Sequence, residues 1–98
     1  MAVAALGLLA ACTLASAQEL SAPDLARRLG CFACHSLGDR GGKTAASLDR
    51  VAVRLAPAQL QTVLTHPRQL HAGVKMPSYA FLPAGERQAL ADFLQSLK

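Results

Sequence analysis

The chain has 98 residues and a formal charge of +4; 16% of its residues are charged, 4% are aromatic, and tryptophan is absent. That length bounds it to one small domain. With no basic run and no interleaving of aromatic with basic residues, its modest positive charge excludes a surface that tracks nucleic acid and favours acidic protein partners or an anionic membrane surface.

Residues 1–17, MAVAALGLLAACTLASA, carry no charged side chain and hold 14 of the 51 apolar residues. They read as a secretory signal peptide, and Ala15-Ser16-Ala17 supplies the small-x-small pattern for a cut before Gln18. Two other readings share the segment. Leu9 to Cys12, LAAC, resembles a lipobox in which Cys12 would be lipidated, and an uncleaved run of this length sits at the lower edge of what spans a bilayer. All three put the folded part, residues 18–98, outside the cytoplasm: periplasmic or otherwise exported, with membrane association through Cys12 or the retained segment in the last two cases. A domain of 81 residues with one Tyr and three Phe has little with which to build a core. At that size folding often relies on a metal, a disulfide or a cofactor.

The first predicted helix runs from about Ala22 to Gly30, with Ser21 as N-cap, Pro23 in the first turn, Asp24 at the third position, and Leu20 and Leu25 placed as a hydrophobic staple. At its end stands GCFACHSL, with Cys31, Cys34 and His35 in a C-x-x-C-H arrangement. Residues 36–46, rich in Gly and turn formers, read as loop. Residues 47–55 alternate in part, but nothing nearby would pair with them as a strand, so irregular or short helical structure is expected. A second helix starts near Pro57, buries Leu60, Val63 and Leu64, and stops before Pro67. Residues 68–82 have no sustained period and contain Gly73 and Pro77; they are predicted as a long connecting loop, a feature usually tied to function in small domains. The third and strongest helix, residues 83–98, has Pro83 in its first turn and a stripe of Leu90, Phe93, Leu94 and Leu97. The expected class is all-α, with three principal helices joined by substantial loops.

Three chemistries compete for Cys31, Cys34 and His35. A thiol–disulfide switch wants its C-x-x-C after a strand and at the opening of a helix, whereas here it closes a helix and no convincing strand is present. A zinc site would recruit His66 and His71, but 31 residues separate Cys34 from His66, and His35 would stand idle. Covalent haem attachment uses the whole cluster: two cysteines one helical turn apart, roughly 5–6 Å, can tether one edge of a porphyrin by thioether bonds, and the histidine that follows can ligate its iron. For the second axial position the strong candidates are His66, His71 and Met76. Met76 is the sole methionine besides Met1 and stands in a loop before Pro77, which stiffens the backbone beside it. It is the expected distal ligand, with His66 or His71 as the alternative.

CFACH followed by AGVKMPSYAFLPAGERQALADFLQSL resembles the class I c-type cytochromes, in particular small bacterial monohaem ones, over nearly all of residues 20–98. The resemblance implies the class I cytochrome c fold, with the first and last helices crossing near the edge of one haem c, and periplasmic electron transfer. It implies Cys31 and Cys34 as attachment residues, His35 as proximal and Met76 as distal ligand, and Ala26, Gly30 and Phe93 at the helix crossing. Two departures stand out. The Gly-Pro that family members often place after the haem motif, whose proline carbonyl accepts a hydrogen bond from the proximal histidine, is replaced by GKTAASL with Ala46 near that place, and the middle helix has no tryptophan. Arg50, Arg54 and Arg68 are therefore candidates for the haem propionates, against their simpler role as solvated surface charges.

With both axial positions filled by protein, the expected function is one-electron transfer rather than enzymatic catalysis, since no nucleophile, acid–base pair or phosphate loop appears elsewhere. Phe32, Leu48, Leu55, Leu64, Tyr79 and Phe81 are the expected apolar wall of the haem. Lys43 and Lys75 are expected on a docking face for redox partners. The alternative is a haem-based sensor or peroxidase-like enzyme with an open or labile sixth position; a tethered relay for a larger oxidoreductase is a further variant.

Overall fold

The computed structural model describes residues 20–98. The signal-peptide reading of 1–17, the lipobox cysteine Cys12 and the cut before Gln18 all lie outside the described residues. Among the described residues no helix is long and apolar enough to cross a membrane.

Helix α1 spans Ala22–Arg28 and begins as its capping residues dictate: Ser21 Oγ accepts the Asp24 backbone N–H at 3.3 Å and donates to the Asp24 carboxylate at 2.8 Å. It ends earlier than the predicted Gly30. Leu29 caps it, and Gly30 turns into the left-handed region at φ 85°, where a Cβ would be penalised. That turn makes the cysteine segment a separate single-turn helix, α2 (Cys31–Cys34), rather than the tail of the first. A small antiparallel ladder follows, β1 (Ser36–Leu37) with β2 (Arg40–Gly41), Ser36 facing Gly41 and Leu37 facing Arg40, where sequence alone suggested only loop.

Helix α3 (Val51–Arg54) is the short helical alternative expected for that region. Helix α4 (Pro57–Thr65) opens with Pro in its first turn and with the Gln59 side chain accepting the Ala56 N–H at 2.8 Å. Residues 68–82 are not loop throughout, because α5 (Pro67–Leu70) adds one turn directly after His66. Pro67 ends α4 but is well suited to begin a new turn, since its missing N–H would have had no helical partner there. Helix α6 (Ala84–Gln95) starts one residue later than expected, with Pro83 outside it as cap.

The three longest helices, α1, α4 and α6, form the body, with α6 against both of the others. Their shared core comprises Leu25 and Ala26 from α1, Leu64 from α4, Leu90 and Ala91 from α6, and Tyr79 and Leu82 from the segment before α6. Ala26 and Ala91 are almost wholly enclosed, so α1 and α6 meet with little side-chain bulk between them. Phe93 packs against the same core, while Gly30 is exposed at the end of α1. Helix α3 is tied to the C-terminus by the Ala52 N–H, which donates to the Leu97 carbonyl at 3.0 Å.

Candidate functional site

Beside this core opens a cleft of about 630 Å³, lined by Cys31, Cys34, His35, Tyr79 and Met76 together with His71, Lys75, Val63, Val74 and residues 44–46. That volume falls within the roughly 300–1,000 Å³ of small-molecule and cofactor sites. Among the described residues no Asp or Glu lines it. Residues from four separate parts of the chain, α2 with His35, the 44–46 loop, α4 and α5 with the Met76 segment, and Tyr79, therefore converge on one space.

His35 is the most sharply positioned of them. Its Nδ1 lies 2.6 Å from the Ala46 carbonyl oxygen. A carbonyl only accepts, so Nδ1 carries the proton, and in the neutral ring Nε2 keeps the free lone pair a metal ligand needs. The 42–48 segment that carries this carbonyl is laid on the cysteine turn by backbone bonds: Gly42 N–H to Phe32 O at 2.9 Å, Ala45 N–H to Cys34 O at 2.9 Å, and Leu48 N–H to Ser36 O at 2.8 Å. Gly41 and Gly42 permit the close approach. A Cβ at Gly41 would collide with the His35 carbonyl, and one at Gly42 with the Ala33 carbonyl. The sequence marked these glycines only as loop formers, although a Gly-Gly pair six and seven residues beyond His35 was the available signal.

The Met76 segment is secured from the other end. Helix α4 leaves its last carbonyls without helical partners; Tyr79 N–H donates to Leu64 O at 2.7 Å and Ser78 Oγ to Thr65 O at 2.5 Å. The buried Tyr79 donates its hydroxyl to Leu29 O at 3.2 Å, at the end of α1. Arg87 then donates to the Ala80 and Leu82 carbonyls at 2.8 and 2.7 Å, joining the segment to α6. Met76 is partly buried against the core.

Cys31 and Cys34 are free thiols, the first half-buried and packed on the core, the second exposed. Burial pushes the Cys31 thiol above its ordinary value, its own backbone and the Tyr79 hydroxyl pulling the other way. Burial likewise raises Tyr79, with the neighbouring Cys31 and Cys34 adding to it.

The other expected residues are distributed as follows. Of the six assigned to an apolar wall, Tyr79 alone is among the cleft-lining residues. Leu64 and Leu48 are buried away from it, Phe32 packs on the core, Leu55 is half-buried beside α3, and Phe81 is 74% exposed, its ring 6.3 Å from that of Tyr79. Val63, Val74, Pro67 and Pro77 stand in the wall instead. The three arginines considered for propionates lie outside the lining, whereas Lys75 and His71 are in it; Lys43 is exposed next to the lining residue Thr44. His66 is engaged with its neighbour, Nδ1 to Thr65 Oγ1 at 3.0 Å, and among the described residues no three His, Cys, Asp or Glu side chains converge for a metal ion, so the four-donor zinc set is not brought together.

Comparison with protein-family models, with curated proteins and with solved structures finds no match to the chain.

Proposed function

We propose that this chain is a small exported one-electron carrier of the class I c-type cytochrome kind, holding one haem c in the cleft beside α2. Cys31 and Cys34 would hold it by thioether bonds, and His35 and Met76 would supply the axial ligands. The observation that carries the reading is the 2.6 Å hydrogen bond from His35 Nδ1 to the Ala46 carbonyl. It fixes the tautomer that leaves Nε2 for a metal, and it does so immediately after a C-x-x-C turn. Further support comes from the donor set: two free thiols one turn apart, an oriented imidazole and a thioether line the same space.

A haem bound there supplies a ferric/ferrous couple, which histidine with methionine biases towards the ferrous side relative to two histidines. The chain's own residues do the rest. Ala46 holds the imidazole and strengthens it as a donor, Tyr79 and the α4 carbonyls hold the methionine segment, and Val63, Val74, Pro67 and Pro77 exclude water. Lys75 at the cleft and Lys43 near it give a positive rim that suits redox partners with acidic surfaces. Export to the periplasm, and any anchoring through Cys12, belong to the same reading.

Mass spectrometry of the denatured protein, produced with a periplasmic haem-attachment system, tests this. The wild type retains the mass of one haem, and the Cys31→Ala/Cys34→Ala variant retains none. A wild type with no covalently retained haem contradicts the reading.

A further inference from the structure

The Ala46 carbonyl has no proline beside it to stiffen the loop; besides the flanking backbone bonds of Ala45 and Leu48, a side chain farther along holds the peptides that follow it. Arg54, the last residue of α3, donates Nη2–H to the Ser47 carbonyl at 2.6 Å and Nη1–H to the Asp49 carbonyl at 2.9 Å. Ser47 directly follows Ala46, so the guanidinium clamps the peptide next to the one that accepts from His35. The Asp49 carboxylate does not pair with Arg54; it accepts the Gly38 N–H at 2.9 Å and binds the same loop to the β1–β2 turn. Arg50, left-handed at φ 58°, turns the chain sharply into α3 and so returns Arg54 to the carbonyls it has just passed. An arginine suits this task because its planar fork presents two N–H groups in fixed geometry, which a lysine cannot do.

We propose that Arg54 is a positioning residue for His35. Through the Ser47 and Asp49 carbonyls it holds the Ala46 carbonyl on Nδ1–H, and thereby sets the donor strength of Nε2. The inference rests on the haem reading above and moves Arg54 from a propionate contact to the shell behind the histidine.

The test uses the ferrous, haem-loaded protein with ¹⁵N-labelled histidine, following solvent exchange of the His35 Nδ1 proton by NMR together with the midpoint potential. Arg54→Met keeps most of the apolar stem and removes the fork; Arg54→Lys restores one donor. The expected result is exchange at least about tenfold faster in Arg54→Met, the scale of one lost charge-assisted hydrogen bond, with Arg54→Lys between it and wild type. The potential rises in the same order, because a weaker Nδ1 bond makes the imidazole a poorer donor to ferric iron, while amide exchange in α6 is unchanged. Exchange and potential at wild-type values in both variants overturn the assignment. So does exchange that quickens equally across α6, or loss of the fold in both variants, since Arg54 would then be a general structural tie. A wild type whose spectrum lacks histidine-ligated haem removes the haem reading and this inference with it, whereas a normal haem spectrum with an unmoved His35 proton defeats the Arg54 role alone.

Discussion

Tyr79 joins three parts of the molecule with few atoms. Its backbone N–H closes the end of α4, its hydroxyl closes the end of α1, and its ring forms part of the cleft wall. Tyr79→Phe keeps the ring and leaves the Leu29 carbonyl to find another donor. Urea denaturation should show a loss of about 0.5–1.5 kcal/mol, the net worth of one such bond. Asp24 illustrates a different residue-scale effect. Hydrogen bonds from Ser21 and then Arg27 hold its carboxyl below the ordinary value of 3.8. A lowered folded-state pKa means stability that is present above the unfolded value and is lost as pH falls through the folded one. Asp24→Asn should therefore be less stable than wild type in urea at pH 7, and the two curves should draw together below pH 3.8. Because Asp24 is exposed, that difference is small.

At the scale of elements, the 41–48 segment shows what packing adds to sequence. Gly42 lies so close to the cysteine turn that a Cβ would meet the Ala33 carbonyl and Cys34 Cα, while one at Gly85 would meet nothing. Gly42→Ala should cost about 1–3 kcal/mol by thermal or urea melts, as forced overpacking does, and should lower haem retention; Gly85→Ala, within α6, should do neither. Helix starts were legible because their signals are local: Ser21 caps α1, Pro57 opens α4, and Pro83 precedes α6. Helix phase was harder to read. Leu60, Val63 and Leu64 form one apolar stripe in sequence, but such a stripe is wide enough to face two surroundings. Leu60 and Leu64 are buried, and Val63 lines the cleft. The β1–β2 ladder and α5 were missed because two residues, or one turn, carry too little periodicity to register. The expected wall residues were chosen by apolar character alone, and hydrophobicity does not distinguish a core position such as Leu64 from an exposed one such as Phe81.

Taken as a whole, the molecule has a modest core on one side of α6 and α4 and a cleft of about 630 Å³ beside it. A domain this small gains stability from whatever fills such a space, because the ligand is bound by the folded state and not by the unfolded chain. The cleft and the core share Tyr79, and Met76 and Cys31 line the cleft while packing against the core, so filling one consolidates the other. C-x-x-C-H was legible because its spacing is chemical rather than structural. The cleft was not, because its walls come from segments far apart in sequence. In the function proposed above, His35 and Met76 together close both axial positions of a haem held in that cleft. The most direct test is the visible spectrum of the haem-loaded protein, ferric and ferrous, with carbon monoxide added to the reduced form. A ferric far-red band that disappears in Met76→Ala and a reduced wild type that does not bind carbon monoxide are expected; ready binding by the wild type would contradict that ligation and favour a sensor or peroxidase-like site with an open sixth position.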